Sequence, residues 1–206
     1  MSLALANYHD QYGCYPPPYI ADENGKPMHS WRVLLLPYLD QRQLYEQYDF
    51  SKPWDSPGNL QLAARRPRTY LLHGVDDDGG IATNYLAVVG EGTPWPAGRM
   101  MTHEMMEETA GRTIRVVENV GSGILWTEPR DLDFSTMPMT LKDYPADGIS
   151  SWLQPPAVAM VDGSTVTLSM ELTEDEVRNM LLIDSDQELP GGAQEIEDGR
   201  DRPIKE

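Results

Sequence analysis

The first residues that could do chemistry are three adjacent carboxylates. Asp76, Asp77 and Asp78 are followed directly by two glycines. Ca²⁺ prefers carboxylate oxygens from a flexible loop, so this run is a candidate calcium site. It lacks the alternating spacing and the distant glutamate of an EF-hand loop. A solvated turn is therefore the favoured interpretation, with calcium as the alternative and no other cofactor expected.

Further carboxylates lie near the ends of predicted strands, at Glu118, Glu128, Asp131 and Asp133. Two carboxylates held at a fixed separation can act as acid and base on a glycosidic bond. One hypothesis is thus a hydrolase that uses Glu128 and Asp131. The favoured alternative is that such acids are solvated or paired with a neighbour such as Arg130.

Histidine and cysteine give weaker indications. His103 begins a His-Glu-Met-Met-Glu sequence, but Glu107 stands where the helical zinc motif has its second histidine. An exposed acidic segment is the favoured interpretation. Cys14 is the single cysteine, which excludes an intrachain disulfide framework and a multi-cysteine metal site. The chain also has no P-loop, dinucleotide fingerprint or nucleophile elbow, and we expect no enzyme.

Composition limits the partners. Lysine and arginine number 16 and aspartate and glutamate 33, for a net charge of −17. This charge argues against nucleic acid and against a polybasic contact with anionic lipid. Five tryptophans could include a stacking platform for sugars, although most tryptophans belong to cores. No apolar stretch approaches the roughly 18 residues of a spanning helix.

Local sequence patterns predict an α+β fold, with short helices followed by a mainly antiparallel sheet. Helices are predicted over residues 2–12, from the N-cap Ser30 with an interruption at Pro37, and from Pro57. Thr173 and Glu176 form a capping box before a last helix. Strands are predicted over residues 69–72, 84–89, 113–118 and 124–127.

The clearest hairpin signal is Asp162-Gly163 between two apolar runs, since a two-residue turn there needs positive φ at both positions. Beyond residue 183 the apolar pattern stops, and the remaining residues include eight acidic and three basic ones. We expect a single globular domain over residues 1–183. Residues 184–206 are expected to form an acidic, disordered tail.

Six short sequence segments, which we call phrases, occur in a characteristic order at residues 4–17, 30–40, 44–49, 83–90, 126–132 and 161–164. Together they resemble a large family of unknown function that is abundant in planctomycetes. Its members have an N-terminus similar to type IV pilins and type II secretion pseudopilins. The phrase at 126–132 contributes the motif residues Trp126, Glu128, Pro129, Arg130 and Asp131, and the last phrase contributes Asp162 and Gly163.

The resemblance implies a pilin-like architecture, in which an apolar N-terminal helix anchors the protein in the inner membrane and packs in a filament. Residues 3–12 would be the last turns of that helix, and the uncapped start at Met1 fits a missing upstream part. The globular domain would lie outside the cytoplasm. Its partners would be other pilin-like subunits or secretion components, with membrane contact only through the upstream helix.

Two departures from the family pattern favour a structural use of the motif residues. In the family a histidine is followed by nine residues and then by the final Asp-Gly, and this chain has Trp152 in place of that histidine. Residues 71–74 replace its usual cysteine-proline phrase. We therefore expect a non-enzymatic, extracytoplasmic pseudopilin-like protein of a secretion or surface assembly. The alternative is an extracytoplasmic solute- or glycan-binding module.

Overall fold

The computed structural model describes residues 1–72, 79–153, 155–184 and, for the backbone, 193–195. Within these residues the fold is α+β, with five α-helices and mainly antiparallel sheets. This confirms the predicted fold class, including the helix at the N-terminus. No helix in this part of the chain is both long and apolar enough to cross a membrane.

The N-terminal third contains four of the five α-helices of the described residues and begins with α1, Ser2–Tyr12. Gly13 ends this helix in the left-handed conformation (φ 70°), and its N–H donates to the His9 carbonyl at 2.7 Å. The Ser30 hydroxyl caps α2, Trp31–Leu34. The interruption expected at Pro37 is confirmed, because a 3-10 turn at Leu36–Tyr38 precedes α3, Arg42–Gln47. Helix α4, Pro57–Ala63, is capped by Ser56.

Five strands form the main sheet in the order β3-β5-β7-β8-β9, and every neighbouring pair is antiparallel. Their bounds are β3 Tyr85–Leu86, β5 Ile114–Glu118, β7 Ala157–Met160, β8 Thr165–Leu168 and β9 Ala193–Glu195. Strands β4, Val88–Val89, and β6, Leu132–Asp133, pair in parallel. An antiparallel ribbon of β1, Tyr19–Ala21, and β2, Pro27–Ser30, was not expected from the sequence.

Two predicted strands are wrong. Within 69–72 the chain forms a 3-10 turn at Arg68–Tyr70, because Pro67 starts a turn that buries the Tyr70 ring. Within 124–127 only Leu125 makes a bridge, to Ala82, and a turn follows. That turn places the Trp126 ring in the core rather than in a sheet.

The β7–β8 hairpin is confirmed, but its turn differs from the expected one. Gly163 has φ 94°, whereas Asp162 has no positive φ. The Gly163 N–H donates to the Met160 carbonyl at 3.1 Å, and the Met160 N–H donates to the Ser164 carbonyl at 2.9 Å. The loop therefore has three residues, with glycine in the left-handed position of a bulge. Only one positive φ is needed.

The main sheet is covered on both faces. Helix α5, Glu174–Met180, begins with the predicted capping box and packs Val177 and Met180 with Ile114 and Val158. On the other face, Ala4 and Leu5 of α1 pack with Trp31 and Val116. Residues 193–195 of the expected tail pair with β8, while the rest of 185–206 lies outside the described residues.

Candidate functional site

Two of the family phrases meet in a buried ion pair. The Arg32 guanidinium donates through Nη2 to Asp131 Oδ1, and the two side chains are 0% and 2% exposed. Trp31 Nε1 donates to Asp131 Oδ2 at 3.1 Å, and the Ala87 N–H donates to Oδ1 at 2.7 Å. Arg32 also donates to the Tyr85 carbonyl and to the Ser30 hydroxyl. This buried network joins α2 to Tyr85 and to the residues that directly precede Val88–Val89 and Leu132–Asp133.

Burial governs the electrostatics of this network. Loss of water raises the pKa of Asp131 to about 6, although Arg32 and the N–H donors oppose the change. Burial likewise lowers the pKa of the Arg32 guanidinium. Because Asp131 is enclosed and already accepts from three groups, it is not available as one half of a catalytic pair with Glu128.

The other residues of the 126–132 phrase occupy the edge of the network. The Trp126 ring is fully buried, stacks on Tyr70 at 5.9 Å and donates through Nε1 to the Ala63 carbonyl. Glu128 Oε1 accepts from Arg130 Nε at 2.6 Å, close to the surface, and Pro129 is half-buried. Trp126 therefore connects this phrase to α4, and Asp131 connects it to α2.

Asp162 and Gly163 line a different place, which we call the Arg115 cavity. It has a volume of about 330 Å³ and lies between α1, the His103 loop, β5 and the β7–β8 turn. His9 Nε2 accepts the His103 N–H at 3.2 Å, and the Tyr15 hydroxyl is 3.4 Å from His103 Nδ1. Two phrases that are distant in sequence thus share one concave surface.

Arg115 is the unusual group in this cavity. It is 5% exposed, and its Cζ lies 3.7 Å from the centre of the Tyr15 ring. Its Nη2 is buried without a hydrogen-bond partner among the residues that the structure describes. Burial lowers the pKa of Arg115, while the Tyr15 hydroxyl and the nearby Asp162 carboxylate act in the opposite direction.

A second cavity, which we call the tyrosine cleft, lies between α1 and α3. It also measures about 330 Å³ and is lined by Tyr8, Tyr12, Tyr38 and Tyr45 together with polar groups of Gln11, Arg42 and Glu46. The Tyr8 and Tyr12 rings are 4.5 Å apart, and the Tyr38 hydroxyl donates to Gln11 Oε1 at 2.7 Å. Burial raises the pKa of Tyr8 to about 12, so its hydroxyl stays protonated at neutral pH.

The burial of the tryptophans follows the favoured interpretation rather than the alternative of a stacking platform. Trp31, Trp95 and Trp126 are buried, and only Trp54 and Trp152 are half-buried. Since Trp126 is enclosed, it cannot stack on a sugar. Aromatic surface is instead available in the tyrosine cleft.

The metal candidates divide into two groups. Asp76, Asp77 and Asp78 lie outside the described residues. His103 and Glu107 do not share a helix, because residues around them form turns and a short 3-10 helix. Among the residues placed in the structure, no three His, Cys, Asp or Glu side chains gather as metal ligands would.

Cys14 is half-buried, with its Sγ 3.5 Å from the sulfur of Met100.

The chain belongs to a family whose function is not defined. Residues 1–170 match the family model described as "Protein of unknown function (DUF1559)". The matched segment contains all six phrases, the buried network, the Arg115 cavity and the tyrosine cleft. No curated protein and no solved structure matches the chain.

Three of the groups that define these places could not be identified from local sequence patterns. Arg32 and Arg115 were passed over because an isolated arginine gives no local signal that it will be buried. The tyrosines of the cleft lie within three phrases, with Tyr8 and Tyr12 in residues 4–17, Tyr38 in residues 30–40 and Tyr45 in residues 44–49. The helical spacing of Tyr8 and Tyr12 could have placed this pair on one face, but no local pattern places it beside Tyr38 and Tyr45.

Proposed function

We propose that this protein is a non-enzymatic, extracytoplasmic pseudopilin-like subunit of a secretion or surface assembly. The observation that carries the proposal is the packing of α1. Ala4 and Leu5 are buried in the core, whereas Leu3 is 74% exposed and Asn7 is exposed. A helix that is packed on one side and free on the other suits a subunit that assembles through its N-terminal helix.

The buried network supports a structural use of the family phrases. Arg32 and Asp131 hydrogen-bond to each other and to groups of the same chain, and neither side chain reaches solvent. Groups arranged in this way stabilise a fold and cannot touch a substrate. The proposal places the globular domain outside the cytoplasm, with other pilin-like subunits or secretion components as partners.

Site-specific photocrosslinking in the native host tests this assignment on the full-length protein. A crosslinker in place of Leu3 or Asn7 is expected to capture pilin-like subunits. The matched control replaces Met170, which is 41% exposed and distant in sequence from α1. Equal capture from Met170, or no capture from either α1 position, would contradict the proposal.

A second candidate function, glycan binding, is favoured by the tyrosine cleft. Aromatic faces beside polar side chains are a common arrangement for sugar binding, and the cleft offers both. A glycan array identifies any ligand, and Tyr12→Ala is expected to abolish its binding. Tyr12 is 55% exposed, so this change leaves the core intact. Tyr144→Ala, 52% exposed and outside the cleft, serves as control.

A further inference from the structure

The Arg115 cavity contains a positive charge that the protein itself leaves incompletely satisfied. Arg115 is 5% exposed, and its Nη2 has no hydrogen-bond partner among the described residues. A buried polar group without a partner costs free energy. The Tyr15 ring makes a cation–π contact with Arg115, and the Tyr15 hydroxyl and the Asp162 carboxylate favour its charged form, but neither pairs with Nη2. Because Nη2 is also covered, a bound group with two acceptor oxygens would complete the guanidinium once it displaces the side chains around that atom.

The rim of the same cavity has the opposite charge. Asp10 and Asp162 both line it, and both are exposed. Asp162 Oδ1 accepts from the Ser164 N–H and hydroxyl, which fixes the carboxylate in the β7–β8 turn. Two rim carboxylates and a net charge of −17 would repel a simple anion. They favour a ligand that also has a cationic group.

We propose that the Arg115 cavity binds a free α-amino acid. The carboxylate of the ligand pairs with Arg115, and its ammonium group faces Asp162 and Asp10. His9, His103 and Tyr15 supply further polar groups on the wall. The volume of about 330 Å³ lies at the small end of ligand pockets, as an amino acid requires. This site does not depend on the proposed assembly role.

Thermal unfolding with each of the twenty common L-amino acids at about 10 mM provides the first test, since a ligand of the folded state raises Tm. Titration calorimetry then compares any hit with its N-acetyl and carboxamide derivatives, which lack one of the two charges. The proposal predicts binding of the zwitterion and a loss of at least about tenfold in affinity for either derivative.

Variants assign the binding to the cavity. Arg115→Met is expected to abolish it, and Asp162→Asn, which keeps the turn acceptor, to weaken it at least about tenfold. Arg99→Met is the control, because Arg99 is exposed and outside the cavity. If Arg115→Met does not fold, the Asp162→Asn result decides. The proposal is overturned if no amino acid binds, if the N-acetyl derivative binds equally well, or if binding survives both cavity substitutions.

Discussion

Arg32 and Asp131 are 99 positions apart in the chain, yet each is the main partner of the other. Because both side chains are buried, the pair is compatible with a stable fold only while both partners are present. A buried pair gains little over a well-packed apolar replacement, but removal of one partner leaves an uncompensated buried charge. The residues of the 30–40 and 126–132 phrases are therefore coupled in stability.

Asp131→Ala tests this coupling. It removes the acceptor of Arg32, Trp31 Nε1 and the Ala87 N–H, and we expect a loss of about 3–5 kcal/mol in the free energy of unfolding. Arg130→Ala is the control in the next position. Its side chain is 56% exposed and pairs with Glu128, so the expected loss is about 0–1 kcal/mol. Urea unfolding of both variants measures the difference, and similar small losses would contradict the account.

His29 is a second buried titratable residue, 2% exposed. Its Nε2 lies 3.1 Å from the Phe50 carbonyl, which can only accept, so Nε2 holds the proton and Nδ1 accepts from the Tyr48 hydroxyl. This arrangement needs the neutral ring. Burial lowers the pKa of His29 below its ordinary value.

The stability that His29 contributes therefore depends on pH. The unfolded chain takes up a proton near pH 6.5 and the folded chain only at lower pH, so this contribution to stability is lost as pH falls through about 6.5. Urea unfolding should show that the advantage of the wild type over His29→Gln shrinks between about pH 7.5 and about pH 5.5. The raised pKa of Asp131 acts in the opposite direction but is common to both proteins. A difference that is constant with pH would refute the assignment.

At the scale of elements, the β7–β8 turn depends on one glycine. Gly163 has φ 94°, and a Cβ there would meet nothing closer than Ser2 Cβ at 3.8 Å. The cost of Gly163→Ala therefore comes from the backbone, and we expect a loss of about 1–2 kcal/mol. Gly58→Ala, in α4 with open space around it, should instead stabilise by roughly 0.5–1 kcal/mol. Thermal unfolding distinguishes the two, and equal effects would contradict the turn geometry.

Elements with strong local signals could be predicted from the sequence. Helix α1, the Ser30 cap, the β7–β8 hairpin and the capping box of α5 each depend on residues within a few positions of one another. The β1–β2 ribbon could not, because its strands have three and four residues and β2 begins with a proline. The 69–72 segment has strand-like composition, but burial of Tyr70 and its bond to the Arg32 carbonyl decide its structure.

The candidate sites were less predictable than the elements, because they depend on contacts between residues that are distant in sequence. The Arg115 cavity combines His9, Arg115 and Asp162, which come from a helix, a strand and a turn. His9 and Asp162 lie within family phrases, but no local pattern shows that α1 packs beside the β7–β8 turn. The antiparallel order of β5, β7 and β8 brings Arg115 and Asp162 together, and the packing of α1 on this face adds His9.

At the scale of the whole molecule, the main sheet lies between α5 on one face and α1 on the other, and the two helices differ in their exposure to solvent. Helix α5 closes one core, whereas α1 packs on the other and keeps an exposed face with Leu3 and Asn7. Both cavities adjoin α1, since His9 lines the Arg115 cavity and Tyr8 lines the tyrosine cleft. The N-terminal helix is thus central to both the assembly proposal and the ligand proposal.

The most direct test of the assembly proposal is the mature N-terminus of the native protein. Cells of the source organism are fractionated, and the full-length product is identified and its N-terminus determined by mass spectrometry. The account predicts a membrane-bound product that begins just before an apolar helix continuous with α1. A product released in soluble form, or cleaved at an ordinary signal-peptidase site, would contradict it.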